Sequence, residues 1–151
     1  MTRIVTALAA LACLGLIAMA TTNRSAHAGD DPLRALRWSM RPVIVFVGEG
    51  PERKKAERQL ALLADQRDGV GERDIALLIV DGDSVRRDAE VLGGAAALRR
   101  RFGIGPQGFA LVLVGKDGGE KRRETVPVRP ESLFATIDAM PMRRREMREG
   151  G

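Results

Sequence analysis

Thiols and imidazoles carry much of the nucleophilic, redox and metal-ligating chemistry of proteins, and this chain of 151 residues has one of each, Cys13 and His27. Both precede the point at which processing is expected. After Arg3, residues 4–20 carry no charge, and a polar stretch then leads to Ser25-Ala26-His27-Ala28-Gly29, with small residues at Ala26 and Ala28. That is the layout of a secretory leader, residues 1–28, with cleavage expected after Ala28 and Ala20 as a second candidate. An uncleaved anchor is the alternative, because seventeen uncharged residues lie at the lower edge of a spanning helix. A lipid-modified Cys13 fits less well, since the apolar run continues past it.

Cleavage would remove all sulfhydryl and imidazole chemistry from the mature chain, 29–149 being read as one domain with a basic tail. Disulfide exchange, thiol peroxidation, histidine-dependent hydrolysis and Cys/His metal sites then lack their atoms. Of 151 residues, removal of 28 leaves 123, with 23 basic and 20 acidic side chains, so the net charge falls from +5 to +3. A charge that small is a poor argument for nucleic acid, and one tryptophan, four phenylalanines and no tyrosine give few platforms for stacking bases. The expected location is the periplasm or outside the cell. The expected partner is an exported protein, a peptide or an anionic envelope component, with membrane attachment only through an unprocessed leader.

The remaining chemistry-bearing groups are carboxylates and arginines. Asp81, Asp83, Asp88 and Glu90 cluster after an apolar run, but an EF-hand loop needs a ligand and then glycine where this chain has Val85 and Arg86. They read as solvated loop acids, and no metal, cofactor or catalytic residue is expected. Gly48-Glu49-Gly50 lacks the Lys-Ser/Thr ending of a phosphate loop and places an acid where the anion would sit, so it reads as a tight turn. Arg99 to Arg101 and Arg143 to Arg145 are read at or beyond helix C-termini, where cations suit the helix dipole; a polyanion site is the alternative. Trp38 reads as a buried anchor beneath the first strand, or alternatively as part of a groove.

These groups must be positioned by a short series of elements. A first strand, Val43 to Val47, is a continuous apolar run closed by Gly48. Pro51-Glu52 opens a helix that carries Ala56, Leu60 and Leu63 and ends at Asp68-Gly69. A second buried strand, Ile75 to Val80, makes a right-handed βαβ unit with the first. Ala95, Leu98 and Phe102 line a short helix ended by Gly103. A third strand, Phe109 to Val114, turns at Lys116-Asp117-Gly118-Gly119 into a polar edge strand, Glu124 to Val126. Pro130-Glu131 opens a last helix, which Pro141 breaks before a basic, short helical tail. The order, β-α-β-α-β-β-α after a short element at Leu33 to Trp38, is the minimal thioredoxin core: an α/β fold with a mixed four-stranded sheet and helices on both faces.

With these residues in view, the chain resembles the bacterial domain-of-unknown-function family 4174, a secreted thioredoxin-like group. The resemblance rests on Leu36-Arg37-Trp38, Gln59, Glu72-Arg73-Asp74, the run Leu98 to Ile104, Gly108-Phe109, the run Val114 to Gly119 and, most specifically, Ile137 to Arg144. It implies fold and compartment and carries no agreed activity. Catalytic thioredoxins hold Cys-x-x-Cys where the first strand meets the first helix; here that junction is Gly48-Glu49-Gly50-Pro51-Glu52-Arg53-Lys54. Pro106 lies near the place of the fold's cis-proline, although it does not directly precede the strand, which favours an ordinary trans turn. The ancestral groove between these loops is the expected binding surface, with Glu49, Gly50, Pro106 and Gln107 as candidates and the tail residues Arg143 and Arg144 as a second surface. The expected function is a binding or scaffolding module; the alternative is an enzyme dependent on carboxylates or a divalent ion.

Overall fold

A computed structural model describes residues 31–150; the expected leader lies outside them. A single turn of 3₁₀ helix, Arg34–Leu36, leads into β1 (Arg41–Val47), α1 (Pro51–Ala64), α2 (Arg67–Glu72) and β2 (Ile75–Asp81). A hairpin of β3 (Ser84–Arg87) and β4 (Glu90–Leu92) follows, then α3 (Ala95–Phe102), the β5 (Ala110–Val114) to β6 (Glu120–Glu124) hairpin, α4 (Pro130–Asp138) and α5 (Pro141–Glu149). The strands form one mixed sheet in the order β4-β3-β2-β1-β5-β6. β1 and β2 are parallel, as a helical crossover demands, and β5 runs antiparallel to β1.

All seven residues of β1 are buried because helices cover both faces. Alternation divides them. Ile44 and Phe46 pack with Leu36, Leu78, Leu98 and Phe102 beneath α3, where the Phe46 and Phe102 rings meet edge to face at 6.1 Å. Val43, Val45 and Val47 point the other way, against Ala56 and Leu63 of α1 and Leu133, Phe134 and Ile137 of α4. Gln59 is the polar exception inside this layer: its amide accepts from Val128 N–H at 2.8 Å and donates to Val128 C=O at 3.1 Å.

The sheet has six strands, against four expected. The additional pair, β3 and β4, holds Asp88 and Glu90 within or between short strands, where loop acids were expected. Only Val85 is fully buried there, so the hairpin shows no apolar alternation to read, and its charged strands suit an edge. The opposite edge strand is Glu120–Glu124, upstream of the β-prone Thr125-Val126. The turn decides its position: Gly115 N–H bonds to Gly119 C=O at 2.9 Å, which sets Glu120 opposite Val114. The first helix ends at Ala64, and Asp68-Gly69 falls inside the separate helix α2, because no apolar residue follows Leu63 at helical spacing until Val70. No peptide bond among the described residues is cis, so Pro106 is trans. Trp38 is 67% exposed, not buried: its backbone φ of 67° turns the side chain away from the sheet.

Candidate functional site

The end of β1 and the loop before β5 meet at one pole of the sheet. Gly48 is required there by close approach: a Cβ on it would stand 2.2 Å from the Gln107 carbonyl oxygen. Glu49 donates its N–H to that same carbonyl at 3.2 Å, and Glu52 N–H bonds to Glu49 C=O at 3.0 Å. The Glu52 carboxylate accepts the Phe109 N–H at 3.3 Å and pairs with Lys55. The Lys55 hydrogen bond outweighs burial, so the Glu52 carboxyl is held below its ordinary range. The structure thus brings the candidates Glu49, Gly50, Pro106 and Gln107 to one exposed surface.

Arg99 fastens this pole from beneath. It donates to Gly105 C=O at 2.9 Å and to Val47 C=O at 3.1 Å, with its guanidinium 5.7 Å from the centre of the Phe46 ring. Burial pushes it below the usual arginine value, against the opposing pull of Asp81 and Asp83. Sequence reading placed Arg99 correctly in the last turn of a helix but missed this tie. No local signal reveals that one side chain of α3 ties the end of β1, 52 residues away in sequence, to the loop that follows α3.

Asp81, at the end of β2, forms a two-pronged pair with Arg53 at 2.8 and 3.1 Å. The Arg53 hydrogen bond, over the opposing effect of burial, lowers the Asp81 carboxyl. A general acid requires a carboxyl raised toward neutrality, so this shift runs the wrong way for that role. Among the described residues there is no cysteine or histidine, and no group of three carboxylates or other ligands suited to a metal ion.

Arg143 and Arg144 lie at the opposite pole, beside the beginning of β1. They lie beyond the C-terminus of α4, as expected, and form the first turn of α5, which Pro141 starts by taking the first helical position. Arg143 is 8% exposed and pairs with Glu72 at 3.2 Å, Asp138 at 3.4 Å and Glu146 at 3.8 Å. The network extends through Arg73 to Asp138 and through Lys116 to Asp74 and Glu146. Arg143 is therefore buried and paired, while Arg144 is exposed. Next to the network a cavity of about 250 Å³ opens between the β5–β6 turn and α5, lined by Met140, Met142 and Lys116 among others.

The profile of the family described as "Domain of unknown function (DUF4174)" matches residues 32–146, nearly the whole described domain. The chain belongs to the DUF4174 family. No curated protein matches it significantly. Among solved structures, the DUF4174 chain is similar to thioredoxin peroxidase I of Plasmodium yoelii, with a TM-score of 0.56 at 14% identity over 75% of this chain and 79% of that one. At that identity the likeness shows a thioredoxin-like fold and nothing about activity. In the DUF4174 chain the strands β2-β1-β5-β6 supply that core, and β3 and β4 widen its β2 edge. No helix among the described residues is long and apolar enough to cross a membrane.

Proposed function

We propose that this DUF4174 protein is an exported binding module that holds a protein or peptide at the pole built from loops 48–50 and 105–107, without redox chemistry. One observation carries the reading. At the strand-to-helix junction where catalytic thioredoxins hold sulfur, Gly48 and Glu49 are pressed against the backbone of Gln107. Glu49, Gly50, Gly105, Pro106 and Gln107 are all exposed and small or polar, as a backbone-lined contact surface requires. Asp81, the nearest strand-end carboxylate, is committed to Arg53. The uncharged run and small-x-small site before Gly29 support export.

Intact mass of the protein recovered from the producing cells tests the export claim; a full-length mass in the membrane fraction would overturn it. Insulin-reduction and peroxide assays test the absence of thiol catalysis, and turnover above buffer would refute it. For the surface, Glu49→Arg with Gln107→Arg is expected to weaken a captured partner by about 1 kcal/mol or more while the fold stays intact. Unchanged affinity would place the partner elsewhere.

A further inference from the structure

The surface proposed above lies beyond the end of β1; a residue with an unusual backbone and exposure lies before its beginning. Trp38 has φ 67° and is 67% exposed. Positive φ is unfavourable for a bulky side chain, and exposing an indole to water is unfavourable as well. The surroundings impose both. Trp38 N–H bonds to Lys116 C=O at 2.7 Å, while the N–H groups of Ser39 and Met40 both bond to Leu36 C=O, at 3.2 and 2.9 Å. Arg37 donates to Asp117 C=O at 3.2 Å and lies against Gly118. Leu33 and Leu36 anchor the segment in the core, so its outer side presents Arg34, Ala35, Arg37, Trp38 and Ser39.

Charge defines the partner. No acidic residue occurs between Asp31 and Glu49. The neighbouring turn gathers two further cations, Arg101 on Gly118 C=O at 2.7 Å and Lys121 on Asp117 at 2.7 Å. Against Arg34, Arg37, Arg101 and Lys121 stand Asp31, which pairs with Arg101, Asp117, and two acids already held by other cations, Glu120 by Arg123 and Asp74 by Lys116. A second copy of the chain would bring two such cationic surfaces together. An added peptide strand would need free backbone donors, and the N–H groups of residues 36–40 are taken within the chain. A bilayer needs neither shape complementarity nor free amides; it takes an indole at the headgroup level and cations at its phosphates.

We propose that this pole, with Trp38 as the anchor and Arg34 and Arg37 as phosphate contacts, docks on the anionic surface of a lipid bilayer. The proposal does not depend on the groove reading, because the two poles lie at opposite ends of β1. Trp38 is the only tryptophan and the chain has no tyrosine, so its emission reports this contact directly.

The experiment uses the protein as recovered from its producing cells, with vesicles of phosphatidylcholine alone and of an equal mixture with phosphatidylglycerol. Trp38 emission should shift to shorter wavelength with the anionic vesicles only. Arg34→Glu with Arg37→Glu, which retains the fluorophore, should weaken that response by about tenfold or more. Trp38→Gly, which suits the backbone at this position, should reduce co-sedimentation with the anionic vesicles. A retained leader would favour both vesicle types and would leave the effect of the charge reversal unexplained. No emission shift on anionic vesicles overturns the proposal. So does vesicle binding that survives all three substitutions, which would point to another basic surface. A shift produced by polyglutamate but not by vesicles would overturn it in favour of an acidic protein partner.

Discussion

Arg41 and Glu146 are 105 residues apart in sequence, and in the fold one guanidinium nitrogen of Arg41 donates to both Glu146 carboxylate oxygens at 2.9 Å. This joins the first residue of β1 to α5. Arg41 is 1% exposed and also donates to Arg73 C=O at 3.0 Å, so a cation at the edge of the core is fully engaged. Without Arg41, Glu146 keeps Lys116 and Arg143, but the Arg73 carbonyl loses its donor and the buried arginine stem leaves a gap. Arg41→Ala is expected to cost about 2 kcal/mol or more in urea unfolding, whereas exposed Arg144→Ala should stay within about 0.5 kcal/mol. A similar small loss from both would show that the network does not support the fold.

The same network gives the domain a defined response to pH. Burial raises Asp138 and Glu146, but the bonds to Arg73 and Arg143 for the first, and to Lys116 and Arg41 for the second, outweigh it and leave both carboxyls lowered. A carboxyl lowered on folding stabilises the native state above its unfolded value and loses that contribution as pH falls through its folded value. Stability should therefore decline once the pH drops below about 4.5. Lys116 is raised: burial opposes this, but Asp74 and Glu146 prevail. Its contribution is complete below the ordinary lysine value and is lost as pH rises through the higher folded one. Thermal melts across pH test both limbs. Asp138→Asn should lower stability at neutral pH and flatten the acid limb.

Gln59 provides a sharper test of buried polarity. It is fully buried and satisfies both backbone groups of Val128 from α1, 69 residues away in sequence. Gln59→Leu keeps approximate volume and strands a donor and an acceptor, so a loss of about 2–4 kcal/mol is expected. Gln59→Glu should be tolerated less at neutral pH than in mild acid, because a carboxylate cannot donate to Val128 C=O while a protonated carboxyl can. Denaturant midpoints at two pH values check both.

The central strands were legible because burial on both faces leaves an uninterrupted apolar run, as at Val43 to Val47 and Ile75 to Val80. The helices of the core were legible from Pro51, Pro130 and the apolar spacing. The edges were not. β3, β4 and β6 are short, charged and paired on one side or by few residues, and their positions follow from turns at Gly82, Asp88 and Gly115 to Gly119. That loops 48–50 and 105–107 meet was legible, since β1 and β5 are neighbours in this fold. Its fastening by Arg99, the burial of Arg143 and the exposure of Trp38 depend on tertiary contacts that composition and periodicity do not encode.

Gly48→Ala tests how the two loops are held together, separately from the proposed partner. The added methyl would meet both the Gln107 carbonyl and Glu52 Cβ, the latter at 2.7 Å, and neither the backbone of β5's entry loop nor the first turn of α1 yields easily. A destabilisation of about 1–3 kcal/mol is expected, the range for overpacking, together with faster hydrogen exchange at Glu49 N–H as its bond to Gln107 lengthens. Gly105→Ala, at an exposed position with open space around it, should be nearly silent in the same measurements. Equal effects from the two would show that the close approach at Gly48 does not hold the loops together.

Trp38 makes the opposite prediction for stability. Truncating a buried aromatic in a core costs about 3–5 kcal/mol. Here the side chain is exposed while the backbone carries the strain of positive φ, a cost on the order of 1–3 kcal/mol. Glycine adopts that φ freely but gives the unfolded chain more freedom, which returns roughly 0.5–1 kcal/mol of the gain. Trp38→Gly is therefore expected to leave the melting temperature unchanged or raise it by a few degrees. Trp38→Asn, which tolerates the left-handed region with a smaller entropy term, should do at least as well. Calorimetry of the two variants checks this. A drop of several degrees in both would mean that the indole packs on the fold and supports it. Retained stability with lost vesicle binding would mean that the strained position serves the surface and not the core.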